Sequence, residues 1–131
     1  MRMTKTTGAR ALVVEDDMEQ QKVIQDILEI TLKDAKIERA MNANSIFTKL
    51  RRAKPSYNII LFDLSFHAAP GLDVLAAVRS EFPGLERNIA VLVNSLQEYQ
   101  ASAPAHGLAY ILKPFSLDSF SEIVKQICDR K

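Results

Sequence analysis

The chain has 131 residues, 47% hydrophobic and 25% charged, which suits one globular domain with a real buried core. Seventeen basic against 16 acidic residues leave a net charge of +1. That balance argues against direct nucleic-acid binding or membrane-surface binding driven by charge. A single cysteine, Cys128, excludes an intrachain disulfide and suits a reducing cytoplasm. No apolar run is long enough to span a membrane, and residues 1–8 lack the apolar core of a secretory signal.

Strands and helices alternate along the chain. Residues 10–15 are a valine-rich apolar run, read as a buried strand, and residues 1–9 before it as a disordered lead-in. Asp17, with Gln20 three residues on, marks a helix start. Apolar residues at helical spacing, Val23, Ile27 and Ile30 with Ile24 and Leu28 alongside, carry that helix over 18–33. A second strand is expected over 36–41, and Asn42 to Asn44 supply turn and cap chemistry for a helix over 45–53. Lys49, Arg51, Arg52 and Lys54 read as the solvated end of that helix. The third strand, 57–63, ends on Asp63. A loop over 64–71 leads to a third helix, 72–82, with Leu72, Leu75, Val78 and Phe82 along one side. Strand four is expected at 89–93. A short helix over 96–103 follows, limited by Pro104, because proline inside a helix removes a hydrogen bond and clashes with the preceding turn. Strand five covers 109–112, and a last helix, 117–129, carries Phe120, Ile123, Val124 and Ile127 on one face. Five strands alternating with five helices predict an α/β fold: a doubly wound parallel sheet with helices on both faces.

Ligands of such sheets gather at the carboxyl ends of the strands. That rule selects Glu15, Asp16 and Asp17 after strand one, Asp63 after strand three, Asn94 and Ser95 after strand four, and Lys113 after strand five. Gathered carboxylates repel one another and call for a hard divalent cation; magnesium suits one or two carboxylates with waters and phosphate oxygens. An aspartate there can act as a nucleophile toward a phosphoryl group, with a lysine as its counter-charge.

The ALVVEDD run at 11–17, ILFDL at 60–64, Gly71-Leu72 and the Tyr110–Phe115 segment with its Lys113-Pro114 pair resemble, as an ordered set, the receiver domain of two-component response regulators. The resemblance covers about residues 10–130 and implies strand order 2-1-3-4-5. It implies that Asp63 is the phosphoacceptor and that Asp16, Asp63 and the backbone carbonyl of Ser65 hold Mg2+, with Glu15 acting through a metal-bound water. It further implies that Lys113 contacts the phosphoryl group and that Tyr110 is a switch aromatic. The donor would be a histidine kinase or a histidine phosphotransfer protein, and the output a downstream partner protein. Because no output domain follows residue 131, a stand-alone receiver is expected, with a homodimer as one option. It would catalyse only limited autophosphorylation and autodephosphorylation.

The sequence departs from the family at several points. Asn94 stands where the family has serine or threonine, with Ser95 as the neighbouring source of a hydroxyl. Asn94 lies 31 residues after Asp63 and only 19 before Lys113, which trims the fourth helix and puts a standard output face in doubt. His67 and Pro70 alter the loop after Asp63. These departures keep open a phosphorylation-independent pseudo-receiver acting as an interaction module. An aspartate-nucleophile phosphohydrolase would need a second aspartate where Ser65 stands. A flavodoxin-like protein would need a phosphate loop where this chain places Glu15, Asp16 and Asp17.

Overall fold

The computed structural model describes residues 8–54, 56–64 and 71–129, and the side chains of residues 74–129 in the last segment. Five strands, β1 (Arg10–Val14), β2 (Lys36–Ala40), β3 (Ile59–Asp63), β4 (Ile89–Val93) and β5 (Ala109–Leu112), form one parallel sheet of order β2-β1-β3-β4-β5. Five helices connect and close them: α1 (Met18–Thr31), α2 (Ala43–Arg52), α3 (Gly71–Glu81), α4 (Leu96–Ala101) and α5 (Leu117–Cys128).

The period-two alternation of the strands sorts their side chains onto two cores. Leu12, Val14, Ile60, Phe62, Val91 and Val93 face Ile46 and Leu50 of α2 and Leu75 and Val78 of α3. Ala11, Val13, Ile59, Leu61, Ala90, Leu92 and Ile111 face Ile24 and Leu28 of α1 and Phe120, Val124 and Ile127 of α5. Burial on both faces explains why β3 and β4 read as unbroken apolar runs.

Most boundaries agree with the sequence reading to within two residues. Gly8 and Ala9, expected in the lead-in, are already tied to the fold: Gly8 N–H donates to Lys33 O (2.8 Å), and Ala9 O accepts from Lys36 N–H (2.9 Å). Residues 1–7 lie outside the described residues. Tyr57 precedes β3 and is buried with its ring under the Arg10 guanidinium, 5.0 Å from the ring centroid. In α1 the inward stripe is Gln21, Ile24 and Leu28, while Val23 and Ile30 of the same apolar pattern face outward. Pro104 ends the fourth helix earlier than expected, and the chain continues as a 3-10 turn over Ala103–Ala105. Two hydrogen bonds from Arg79 of α3, to Pro104 O (2.7 Å) and His106 O (2.8 Å), fasten that turn. Cys128 is buried in the α5 core, a structural thiol. The basic end of α2 is partly neutralised: Arg51 Nε donates to Glu81 Oε2 at 2.6 Å, and Lys49 lies 3.7 Å from Glu38.

Candidate phosphoacceptor site

Parallel pairing brings the ends of β1, β3, β4 and β5 to one edge. The register Asp63↔Leu92, with hydrogen bonds from Leu64 N–H to Leu92 O (3.2 Å) and from Lys113 N–H to Val93 O (2.8 Å), sets these ends side by side. Asp63 closes a strand buried along its whole length and is itself only 1% exposed. Lys113 leaves the end of β5 and reaches back across the edge, its Nζ 2.5 Å from Asp63 Oδ2. The peptide between Lys113 and Pro114 is cis.

Glu15 is the second buried carboxyl of the cluster. Its Oε1 accepts from Asp17 N–H (3.0 Å), and no donor among the described residues reaches its buried Oε2. Burial, and next the Asp63 carboxyl beside it, push Glu15 up to about 8, although the Asp17 N–H bond and the Lys113 charge oppose them. Asp16 is half-buried next to it. Asp17 turns outward as the α1 cap, its Oδ1 accepting from Glu19 N–H (2.9 Å) and Gln20 N–H (3.1 Å). Sequence reading missed the buried Gln21, whose amide donates to the Glu15 carbonyl. It also missed Glu98, although Ser95 and Glu98 have capping-box spacing.

Asn94 and Lys113 share a pocket of about 580 Å3 with Gln20, Val23, Ile27, Pro114 and Phe115. Asn94 N–H donates to Glu98 Oε1 (3.1 Å), and its side-chain amide lies 3.5 Å from Glu98 Oε2. Ser95, the alternative hydroxyl, is the cap of α4, and its Oγ accepts from Glu98 N–H at 3.0 Å. Tyr110 lies outside the crevice on the β5 edge, 37% exposed and packed on Tyr99 with ring centroids 4.5 Å apart. Ser65, His67 and Pro70 lie outside the described residues.

The donor set suits a hard cation. Two adjacent carboxyls, Glu15 and Asp63, are buried, and one Glu15 oxygen meets no donor among the described residues. Among the described residues, no group of three or more His, Cys, Asp or Glu has the geometry to hold a metal unaided. Magnesium does not require such a cage, since it keeps several waters and takes one or two carboxylates.

Residues 11–125 match the response regulator receiver domain family, and the chain belongs to it. It is a receiver domain of two-component signalling. It is 30% identical over 122 residues to protein-glutamate methylesterase/protein-glutamine glutaminase 2 of Methanosarcina mazei, an alignment covering 91% of this chain and 33% of that protein. It is 28% identical over 120 residues to TcrX, a probable transcriptional regulatory protein of Mycobacterium tuberculosis, covering 90% of this chain and 49% of that one. The chain thus spans a third to a half of the length of these curated relatives. Among solved structures, the receiver domain of a sensor histidine kinase from Pseudomonas aeruginosa, with magnesium coordinated in its active-site cleft, superposes with a TM-score of 0.79 at 22% identity, over 94% of this chain and 99% of that one. A CheY-like receiver domain from Methanospirillum hungatei superposes with a TM-score of 0.74 at 26% identity, over 92% and 94% of the two chains. No helix among the described residues is long and apolar enough to cross a membrane.

Proposed function

We propose that residues 10–131 form one receiver domain that accepts a phosphoryl group on Asp63. The observation that carries this reading is the 2.5 Å pairing of Lys113 with Asp63, two residues from different strand ends, beside the Glu15 and Asp16 carboxyls. A carboxylate nucleophile must stay ionised although buried, and the ammonium group favours that form. An Asp63 oxygen attacks the phosphorus of a phosphohistidine on a histidine kinase or phosphotransfer protein. The new O–P bond forms as the donor's N–P bond breaks, and the departing imidazole takes a proton from water. Lys113 then pairs with the phosphoryl oxygens, and Asn94 supplies an amide donor in place of a hydroxyl. Mg2+, held by Asp16 and Asp63 with Glu15 acting through a water, would supply further positive charge for the transferring group. Hydrolysis returns the domain to its starting state, so its catalysis is confined to its own phosphorylation and dephosphorylation. Output passes to a partner protein in the reducing cytoplasm, where the buried Cys128 stays a thiol.

The test is intact mass after incubation with acetyl phosphate, with and without magnesium, for wild type and Asp63→Asn. A magnesium-dependent gain of one phosphoryl group, absent in the variant, is expected. No gain from folded wild-type protein would favour the phosphorylation-independent interaction module, which the Asn94 substitution and the shortened α4 keep in view.

A further inference from the structure

We propose that Glu98 is a positioning residue that latches Asn94 in the unphosphorylated state and must release it when the phosphoryl group arrives. This rests on the reading of Asp63 as phosphoacceptor.

Glu98 is fixed at every polar group it has. Its N–H donates to Ser95 Oγ (3.0 Å), and its carbonyl accepts from Ser102 Oγ (2.6 Å). One carboxylate oxygen accepts from the Asn94 N–H at 3.1 Å, and the other faces the Asn94 side-chain amide at 3.5 Å. A capping-box glutamate reaches back to the cap residue's own N–H. Here it reaches one residue further, to the residue that lines the pocket beside Lys113. A carboxylate only accepts hydrogen bonds, so its presence turns the NH2 end of the asparagine toward α4. The side-chain bond is long and the main-chain bond ordinary. The latch can therefore let the amide go while the helix cap stays intact.

The consequence is kinetic. A contact made before the reaction and exchanged for another during it stabilises the starting state and adds its own worth to the barrier. Glu98 therefore slows phosphoryl uptake, and removing the latch speeds it. Glu98 also carries a negative charge near the crevice, so a charge effect must be separated from an effect through Asn94.

A double-mutant cycle makes that separation. Phosphoryl uptake from acetyl phosphate with magnesium would be followed by intact mass for wild type, Glu98→Gln, Asn94→Ala and the double variant, with thermal unfolding as the check on folding. Glu98→Ala serves as a second variant, because glutamine can still accept one bond. The expected result is uptake faster by roughly twofold to threefold on loss of Glu98, the low end of what one net hydrogen bond supports because the contact is long and exposed, and no gain in the Asn94→Ala background. An equal gain in both backgrounds would make Glu98 a charge alone and overturn the latch, as would no gain at all. Separately, the Asn94 side-chain NH2 resonances of the unphosphorylated protein should shift in Glu98→Gln. Unmoved resonances overturn the latch even if the chain takes up phosphate. Shifted resonances in a protein that takes up none would instead refute the phosphoacceptor reading.

Discussion

Asp63 and Lys113 stand 50 positions apart in sequence, and their contact joins a residue 1% exposed to one whose side chain is 18% exposed. Removing the lysine breaks an ion pair made by a buried carboxyl beside Glu15, which costs more than loss of a surface ion pair. Lys113→Met is expected to lower stability by about 1–3 kcal/mol, with added magnesium recovering part of the loss, as measured by thermal unfolding. An unchanged midpoint would mean that the pair contributes nothing to the resting fold. Each of these residues was legible in the sequence, because apolar strands announce where their carboxyl ends lie. Their separations were not, since side-chain reach across a sheet edge is set by register. Glu98 escaped notice although the helix start at 96 was expected, because its carboxylate reaches past the cap residue Ser95 to the Asn94 N–H, a partner that capping-box spacing does not specify.

At the scale of elements, caps and stripes decide the boundaries. Asn42 Oδ1 accepts from Ser45 N–H at 2.8 Å and starts α2 two residues before the apolar pattern alone suggests. Asn42→Ala should cost about 1 kcal/mol, read as a lower denaturant midpoint at unchanged slope. A change in slope would instead point to a more widespread rearrangement. The α5 stripe behaves as its spacing predicts: Phe120, Val124 and Ile127 are buried, and Phe120 packs on Phe115 with ring centroids 4.9 Å apart. The α1 pattern is less direct. Its apolar residues cover more than one face, so periodicity alone does not say that Ile24 and Leu28 turn inward while Val23 and Ile30 stay exposed. Of those outward residues, Val23 lines the pocket that holds Asn94 and Lys113. The fourth helix is short for a local reason, since Pro104 cannot donate an N–H and the chain tightens into a 3-10 turn.

For the molecule as a whole, the sheet edge opposite β5 is secured by charge as well as by pairing. Arg10 of β1 donates to Glu38 of β2 at 2.8 Å, Lys49 of α2 stands 3.7 Å away, and the Tyr57 ring lies beneath Arg10. Burial works to raise Glu38, but hydrogen bonds from Arg10 and Tyr57, with the charges of Arg10 and Lys49, outweigh it and hold Glu38 below its ordinary 4.5. Burial, and then the neighbouring Glu38 charge, push Tyr57 up to about 12. Because the folded value of Glu38 is depressed, its contribution is complete above the unfolded value and is lost as pH falls through the folded one. Glu38→Gln should therefore lower the melting temperature near neutral pH and narrow its gap to wild type below about pH 4. A gap that stays constant across that range would remove Glu38 from the acid response. By itself the sequence determined the element order, the parallel α/β class, the strand ends that carry the chemistry and the family to which the chain belongs, because periodicity, caps and the ordered acidic and lysine motifs are local. Only the tertiary structure decided which side chains meet: Lys113 with Asp63, Asn94 with Glu98, Tyr110 with Tyr99, and Glu15 buried beside Asp63. Those contacts depend on strand register, helix rotation and the exclusion of water, and each of these is set by packing between segments far apart in the chain.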